Sequence, residues 1–167
     1  MKKRIFSLLV SMLLLCTICI PAGAIDSNQI KDSEVIATDE FVVYLTDNRS
    51  RLTYPLNVRT LILYTESDGL GFYISAVSGV PIITGLNGFV EYNTSLDADH
   101  GIVKTYSESN NPARSSIEWM EYTGNKYNSG VKITAGFVGE VSADKGLFGD
   151  DVDVNGYFHR TVEATIP

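Results

Sequence analysis

Residues 149–156 read Gly-Asp-Asp-Val-Asp-Val-Asn-Gly, and within them Asp151, Asp153, Asn155 and Gly156 form the pattern D-x-D-x-N-G. Calcium takes about six to eight oxygen ligands, and alternate side chains around a tight turn can supply the first three. The helix-loop-helix form of such a site also needs a bidentate glutamate at its twelfth position. That position is Val162 here, with Glu163 one residue late, and the flanking segments have the pattern of strands. What remains is a non-helical calcium site with Asp151, Asp153 and Asn155 as ligands. A second loop would have to complete it, and Asp150, Glu108 and Asn110 are the nearest further oxygens. A metal-free reading explains the same residues. A three-residue loop over Val154-Asn155-Gly156, with Gly156 left-handed, pairs Val152 with Phe158, Asp150 with Arg160 and Phe148 with Val162. Opposed residues share a face, so this register stacks apolar on apolar and joins a carboxylate to a guanidinium.

Other chemistry is sparse. Of the two histidines, His100 falls in a turn and His159 on the solvent parity of a strand, and no H-E-x-x-H pair occurs. There is no G-x-S-x-G string, and Gly69-Leu70-Gly71 is a lone glycine pair, not a phosphate loop. Glu118 and Glu121 stand three apart, on opposite faces of a strand, so they do not form a glycosidase pair in that local geometry. The chain is therefore expected not to be an enzyme. A hydrolase would have to be built from carboxylates that converge from distant strands.

The elements that would position these residues are strands. In residues 130–141, Val131, Ile133, Ala135, Phe137 and Val141 share one parity while Lys132, Thr134 and Glu140 share the other. Segments 40–46 and 59–65 are apolar on both faces and read as central strands. Segments 71–78, 88–94, 101–107 and 115–123 are further strands, and no stretch of ten or more residues after residue 33 has helical spacing. Ser67-Asp68-Gly69, Ser78-Gly79, Asn87-Gly88, Asn110-Asn111-Pro112, Thr123-Gly124-Asn125 and Asn155-Gly156 read as the turns between them. The fold expected is all-β, an antiparallel two-sheet sandwich. From Gly69 onward the pattern resembles the immunoglobulin-like or fibronectin-III-like sandwich, in architecture and not in motifs. Residues 34–65 add an N-terminal β-hairpin to it.

The N-terminus sets the destination. Lys2, Lys3 and Arg4 precede an apolar run over Ile5 to Ile20, then Pro21 and the small-x-small string Ala22-Gly23-Ala24. This is the pattern of a secretory signal peptide, residues 1–24, removed after Ala24. Residues 25–33 read as a flexible leader and residues 34–167 as one domain. Both cysteines, Cys16 and Cys19, leave with the signal peptide, so no disulfide or thiolate site is expected in the mature chain. An oxidising destination without disulfides suggests a bacterial secreted protein. The whole chain carries a net charge of −7, and cleavage removes three basic residues while all 20 acidic ones stay. That balance argues against nucleic acid and anionic membrane as partners. The chain stops at Ile166-Pro167 without an apolar tail, so release is expected rather than a C-terminal anchor.

The function expected is a secreted, non-catalytic β-sandwich monomer that binds glycan or protein outside the cell. The alternative is a structural secreted protein without a small ligand. Tyr64, Tyr73, Tyr92, Tyr106, Tyr122 and Tyr127 lie on or beside strands and could form a stacking face, but tyrosines also suit strands with ring inward and hydroxyl at the edge.

Overall fold

Alternation of apolar and polar side chains carries through to eight strands in the computed structural model. It describes residues 30–31, 34–46, 53–80, 82–144 and 153–167, and only the backbone of residues 97–100, 102, 103, 111, 144 and 153. The strands are β1 (Val35–Thr46), β2 (Thr53–Thr65), β3 (Gly69–Val77), β4 (Ile83–Thr94), β5 (Asp97–Arg114), β6 (Ser116–Tyr122), β7 (Lys132–Asp144) and β8 (Asp153–Thr165). They form two four-stranded sheets, ordered β1-β2-β3-β6 and β5-β4-β7-β8. Every pairing is antiparallel.

One apolar core joins the inner faces of the two sheets. Phe72 of β3 lies 5.0 Å from Tyr92 of β4 and 6.0 Å from Phe137 of β7, ring centre to ring centre. In β7 the parity read from the sequence holds: Ile133, Ala135, Phe137 and Val141 are buried, and Lys132 and Thr134 are exposed. The 59–65 segment is central, between β1 and β3, with Leu61, Ile62 and Leu63 all buried. The 40–46 segment is not central. β1 is an edge strand that buries Val43 and Leu45 and exposes Val42 and Tyr44.

Edge strands β1 and β8 close one side of the sandwich. Phe41 packs 5.6 Å from Phe158, the Arg160 guanidinium sits 4.5 Å over the Phe41 ring, and Arg160 Nε reaches Asp39 Oδ2 at 3.5 Å. On the other side Tyr106 of β5 stacks on Trp119 of β6 at 5.1 Å, and Lys104 Nζ meets Glu121 Oε1 at 3.0 Å.

Three expected turns lie inside strands. Asn87-Gly88 is in β4, Asn110-Asn111-Pro112 in β5 and Asn155-Gly156 in β8. The proposed loop Val154-Asn155-Gly156 is therefore corrected. Asp153, Val154, Asn155 and Gly156 pair with Asp144, Ala143, Ser142 and Val141, and the β7–β8 connection falls on residues 145–152, outside the described residues. Gly156 is not among the glycines with positive φ, which are Gly69, Gly124 and Gly130. It is glycine because of close approach. A Cβ there would lie 2.6 Å from Val43 Cγ1 and 2.8 Å from Leu45 Cδ2, so its absence lets β1 settle onto β8.

Candidate functional site

The tyrosines named from the sequence serve the interior and its loops. Tyr92 and Tyr106 are buried in the core, and Tyr73 is buried on the outer face of the first sheet. Their hydroxyls find partners, as buried polar groups must. The Tyr106 hydroxyl donates to the Val138 carbonyl at 3.0 Å, and Tyr73 donates to Glu118 Oε2 at 2.8 Å. Tyr64 donates to the Tyr127 carbonyl at 2.8 Å and accepts the Tyr127 N–H at 3.1 Å, while the Asn125 amide donates to the Tyr92 hydroxyl at 2.7 Å. Tyr64 and Tyr92 thus tie down the 123–130 connection between β6 and β7.

Burial raises the phenol pKa of Tyr73 to about 12, with Glu118 adding to the shift, and it raises those of Tyr106 and Tyr122 as well. The folded state favours the neutral phenol. Its stabilising contribution is complete below the ordinary tyrosine value near 10 and is lost as the pH climbs through about 12 for Tyr73. Stability is therefore expected to fall above pH 10. Absorbance at 295 nm, compared between the wild type and Tyr73→Phe, checks this. Ionisation of Tyr73 near pH 10 with the fold intact would contradict it.

Among the described residues the most exposed tyrosines are Tyr157, at 73 %, and Tyr44, at 62 %. Tyr157 follows Gly156, where an added Cβ would lie 3.4 Å from the Tyr44 carbonyl oxygen, so both tyrosines flank the β1/β8 seam, one on each sheet's outer side. Neither was singled out from the sequence. The signal was present in the alternation of β8: Val154, Gly156, Phe158 and Val162 point inward, which turns Tyr157 outward.

Tyr157 opens a polar rung across the second sheet. Its neighbours in register are Glu140 of β7, Asn87 of β4 and Ser107 of β5, and the Ser107 hydroxyl donates to Asn87 Oδ1 at 2.7 Å. The rung toward the sheet's end is Asn155, Ser142, Gly85 and Ser109, and the rung on its other side is His159, Val138, Phe89 and Thr105. Strands about 4.8 Å apart make each rung roughly 14 Å long. One exposed ring at the margin, followed by carboxylate, amide and hydroxyl, is a surface able to stack on a ring-shaped ligand and hydrogen-bond along it.

The sequence-named metal ligands are only partly placed. Asp151 lies outside the described residues. Asp153 stands in β8 opposite Asp144, and Asn155 is exposed on the outer face two residues before Tyr157. Among the described residues no three His, Cys, Asp or Glu side chains converge on a common point. Glu118 and Glu121 do face opposite ways: one takes the Tyr73 hydroxyl, the other Lys104. Two S-x-x-K strings are present: Ser129-Gly130-Val131-Lys132, which spans the turn into β7, and Ser142-Ala143-Asp144-Lys145 at the end of β7. In a strand the spacing of the second puts its ends on opposite faces, and Lys145 is outside the described residues.

Compared with known proteins, the chain matches no family model, and neither a curated protein nor a solved structure is significantly similar to it.

Proposed function

We propose that the protein is a secreted, non-catalytic β-sandwich of bacterial origin that binds a neutral glycan outside the cell, through the outer face of the second sheet. The observation that carries this reading is the rung Tyr157–Glu140–Asn87–Ser107, with its exposed ring and its aligned polar groups. Glycan is favoured over protein because the rung through Tyr157 is polar after its one ring and the apolar pair beside it, Phe89 and Val138, is only half-exposed, whereas the core of a protein interface is apolar. Glu91, Glu140 and Glu163 share the face, which disfavours anionic polysaccharides. The test is equilibrium binding of the mature chain to soluble neutral and anionic oligosaccharides. Neutral ligands should bind, and binding should depend on Tyr157.

The fold reading goes with this function. We take β2 to β8 as the seven strands of a fibronectin-III-like sandwich, β2-β3-β6 facing β5-β4-β7-β8, with β1 added at the β2 edge. Sandwiches of this kind commonly use sheet faces and end loops for recognition, which is support by analogy.

A calcium ion held by Asp151, Asp153 and Asn155 is a second, structural element of the proposal. It is favoured by the D-x-D-x-N-G spacing, which offers three oxygen ligands at alternate positions running into β8. A ligand that binds only the native state raises its stability in proportion to ln(1 + [L]/Kd). Millimolar calcium is thus expected to raise the melting temperature, and the Asp151→Ala/Asp153→Ala double variant to abolish the rise. An unchanged wild-type melting curve would remove calcium from the account.

A further inference from the structure

Beside the rung through Tyr157 the outer face of the second sheet steps down. The row toward the sheet's end holds Asn155, Ser142, Gly85 and Ser109, and its two inner positions carry only a hydroxymethyl group and a hydrogen. Gly85 is buried at the low point, between half-buried Ser142 and exposed Ser109. On the rung's other side Val138 and Phe89 are larger and half-exposed, and they form a ridge. The rung is thus the wall of a shallow shelf that crosses the strands. Asn87 turns its amide nitrogen over this shelf. The Ser107 hydroxyl donates to Asn87 Oδ1 at 2.7 Å, which fixes the amide. A Cβ built on Gly85 would lie 3.6 Å from Asn87 Nδ2 and 3.6 Å from Ser142 Cβ. The Asn87 N–H donors therefore face the Gly85 side, and Glu140, the next residue along the rung, adds a carboxylate acceptor.

We infer that the ligand is an extended, unbranched chain of neutral hexopyranoses joined through equatorial bonds, lying across the strands on the Gly85 shelf with one sugar to each strand. This rests on the glycan reading proposed above and narrows it to one linkage class. An equatorially linked chain stays straight and advances roughly 5 Å per sugar, close to the spacing of about 4.8 Å between strands. Its hydroxyl groups then recur in step with Glu140 and Asn87, and the sugar over β8 meets the exposed Tyr157 ring. A chain joined through axial bonds turns at every linkage and leaves a straight row after one or two sugars. The four strands of the sheet give room for four sugars.

Titration of the mature protein with β-1,4-linked hexaoses of glucose and of mannose, and with the α-1,4-linked hexaose of glucose, tests it. The better β-linked hexaose should bind at least tenfold tighter than the α-linked one, and its shorter oligomers should gain affinity from two sugars to four and then level off. Asn87→Asp keeps the side chain's shape and its acceptor for Ser107 but removes the N–H donors. It should weaken binding of the β-linked hexaose at least tenfold, with the melting curve unchanged because Asn87 is exposed. Gly85→Val raises the shelf and should weaken binding as much. Its first carbon meets only ordinary contacts, and φ there is not positive. Equal affinity for α- and β-linked hexaoses, with Tyr157 still required, would overturn the linkage and leave the proposed function standing. Wild-type affinity in Asn87→Asp, or in a folded Gly85→Val, would overturn the shelf. Binding of no neutral oligosaccharide at all would overturn the inference and the proposed function together.

Discussion

Gly88→Ala is expected to lower stability by about 3 kcal/mol, a drop in melting temperature of roughly 10 °C for a domain of this size. The inner row at this level of the second sheet is Tyr106, Gly88, Gly139 and Phe158, one residue from each strand. Two adjacent glycines leave a trough in the pleated surface. The Tyr106 ring lies across it from one side, with its hydroxyl on the Val138 carbonyl, and Phe158 enters from the other. Trp119 and Phe41 of the first sheet then pack on these two rings. A Cβ on Gly88 would overlap the Val138 carbonyl oxygen and sit 2.5 Å from the Tyr106 hydroxyl. Backbone cannot swing aside as a side-chain end can, so Tyr106 must leave the trough and its stacking with it. Gly79→Ala is the control, since nothing lies within 4 Å of the added methyl and φ there is not positive. It should be neutral within about 0.5 kcal/mol. Thermal or urea unfolding of the two variants decides the matter, and equal stability would mean that the trough is not packed as described.

Tyr157→Ala is expected to weaken glycan binding by about 10- to 100-fold while leaving the melting temperature within about 2 °C of wild type. The side chain is 73 % exposed and outside the core, so its loss creates no cavity. An aromatic platform is worth about 1.4–2.7 kcal/mol when stacking is the main apolar contact of a polar ligand, the range that corresponds to those factors. Tyr44→Ala separates the rung from the seam. Tyr44 lies on the first sheet's outer side, and its loss should change binding less than threefold. Isothermal titration of the three proteins with one neutral oligosaccharide measures both effects. Equal affinity for wild type and Tyr157→Ala would assign the ligand to another surface.

How much of this was legible in the sequence follows from which force fixed each feature. Strand periodicity was legible, since parity in 130–141 and in 115–123 is the direct mark of a half-buried sheet. The edge position of β1 was not. Val42 and Tyr44 make 40–46 look buried on both sides, whereas Val42 opposes Asn57 and Tyr44 opposes Pro55 on an open face. Two of the three misplaced turns share one cause. Gly88 and Gly156 stand beside asparagine, and Asn-Gly is a hairpin signal when only local backbone freedom is considered. Both glycines answer instead to side chains from other strands, Tyr106 in one case and Val43 with Leu45 in the other, and no local pattern encodes that contact. The candidate rung was hidden for a related reason. Tyr157, Glu140, Asn87 and Ser107 come from four strands, and only the register brings them level.

The central claim is that ligand lies along that rung. The direct measurement is a titration of isotopically labelled mature protein with a neutral oligosaccharide, followed by backbone amide chemical shifts. The account predicts that the largest shifts fall on residues 155–159 of β8, 138–142 of β7, 85–89 of β4 and 105–109 of β5, with β1, β2, β3 and β6 unmoved. Shifts centred on the first sheet, or none with any neutral ligand at millimolar concentration, would contradict it.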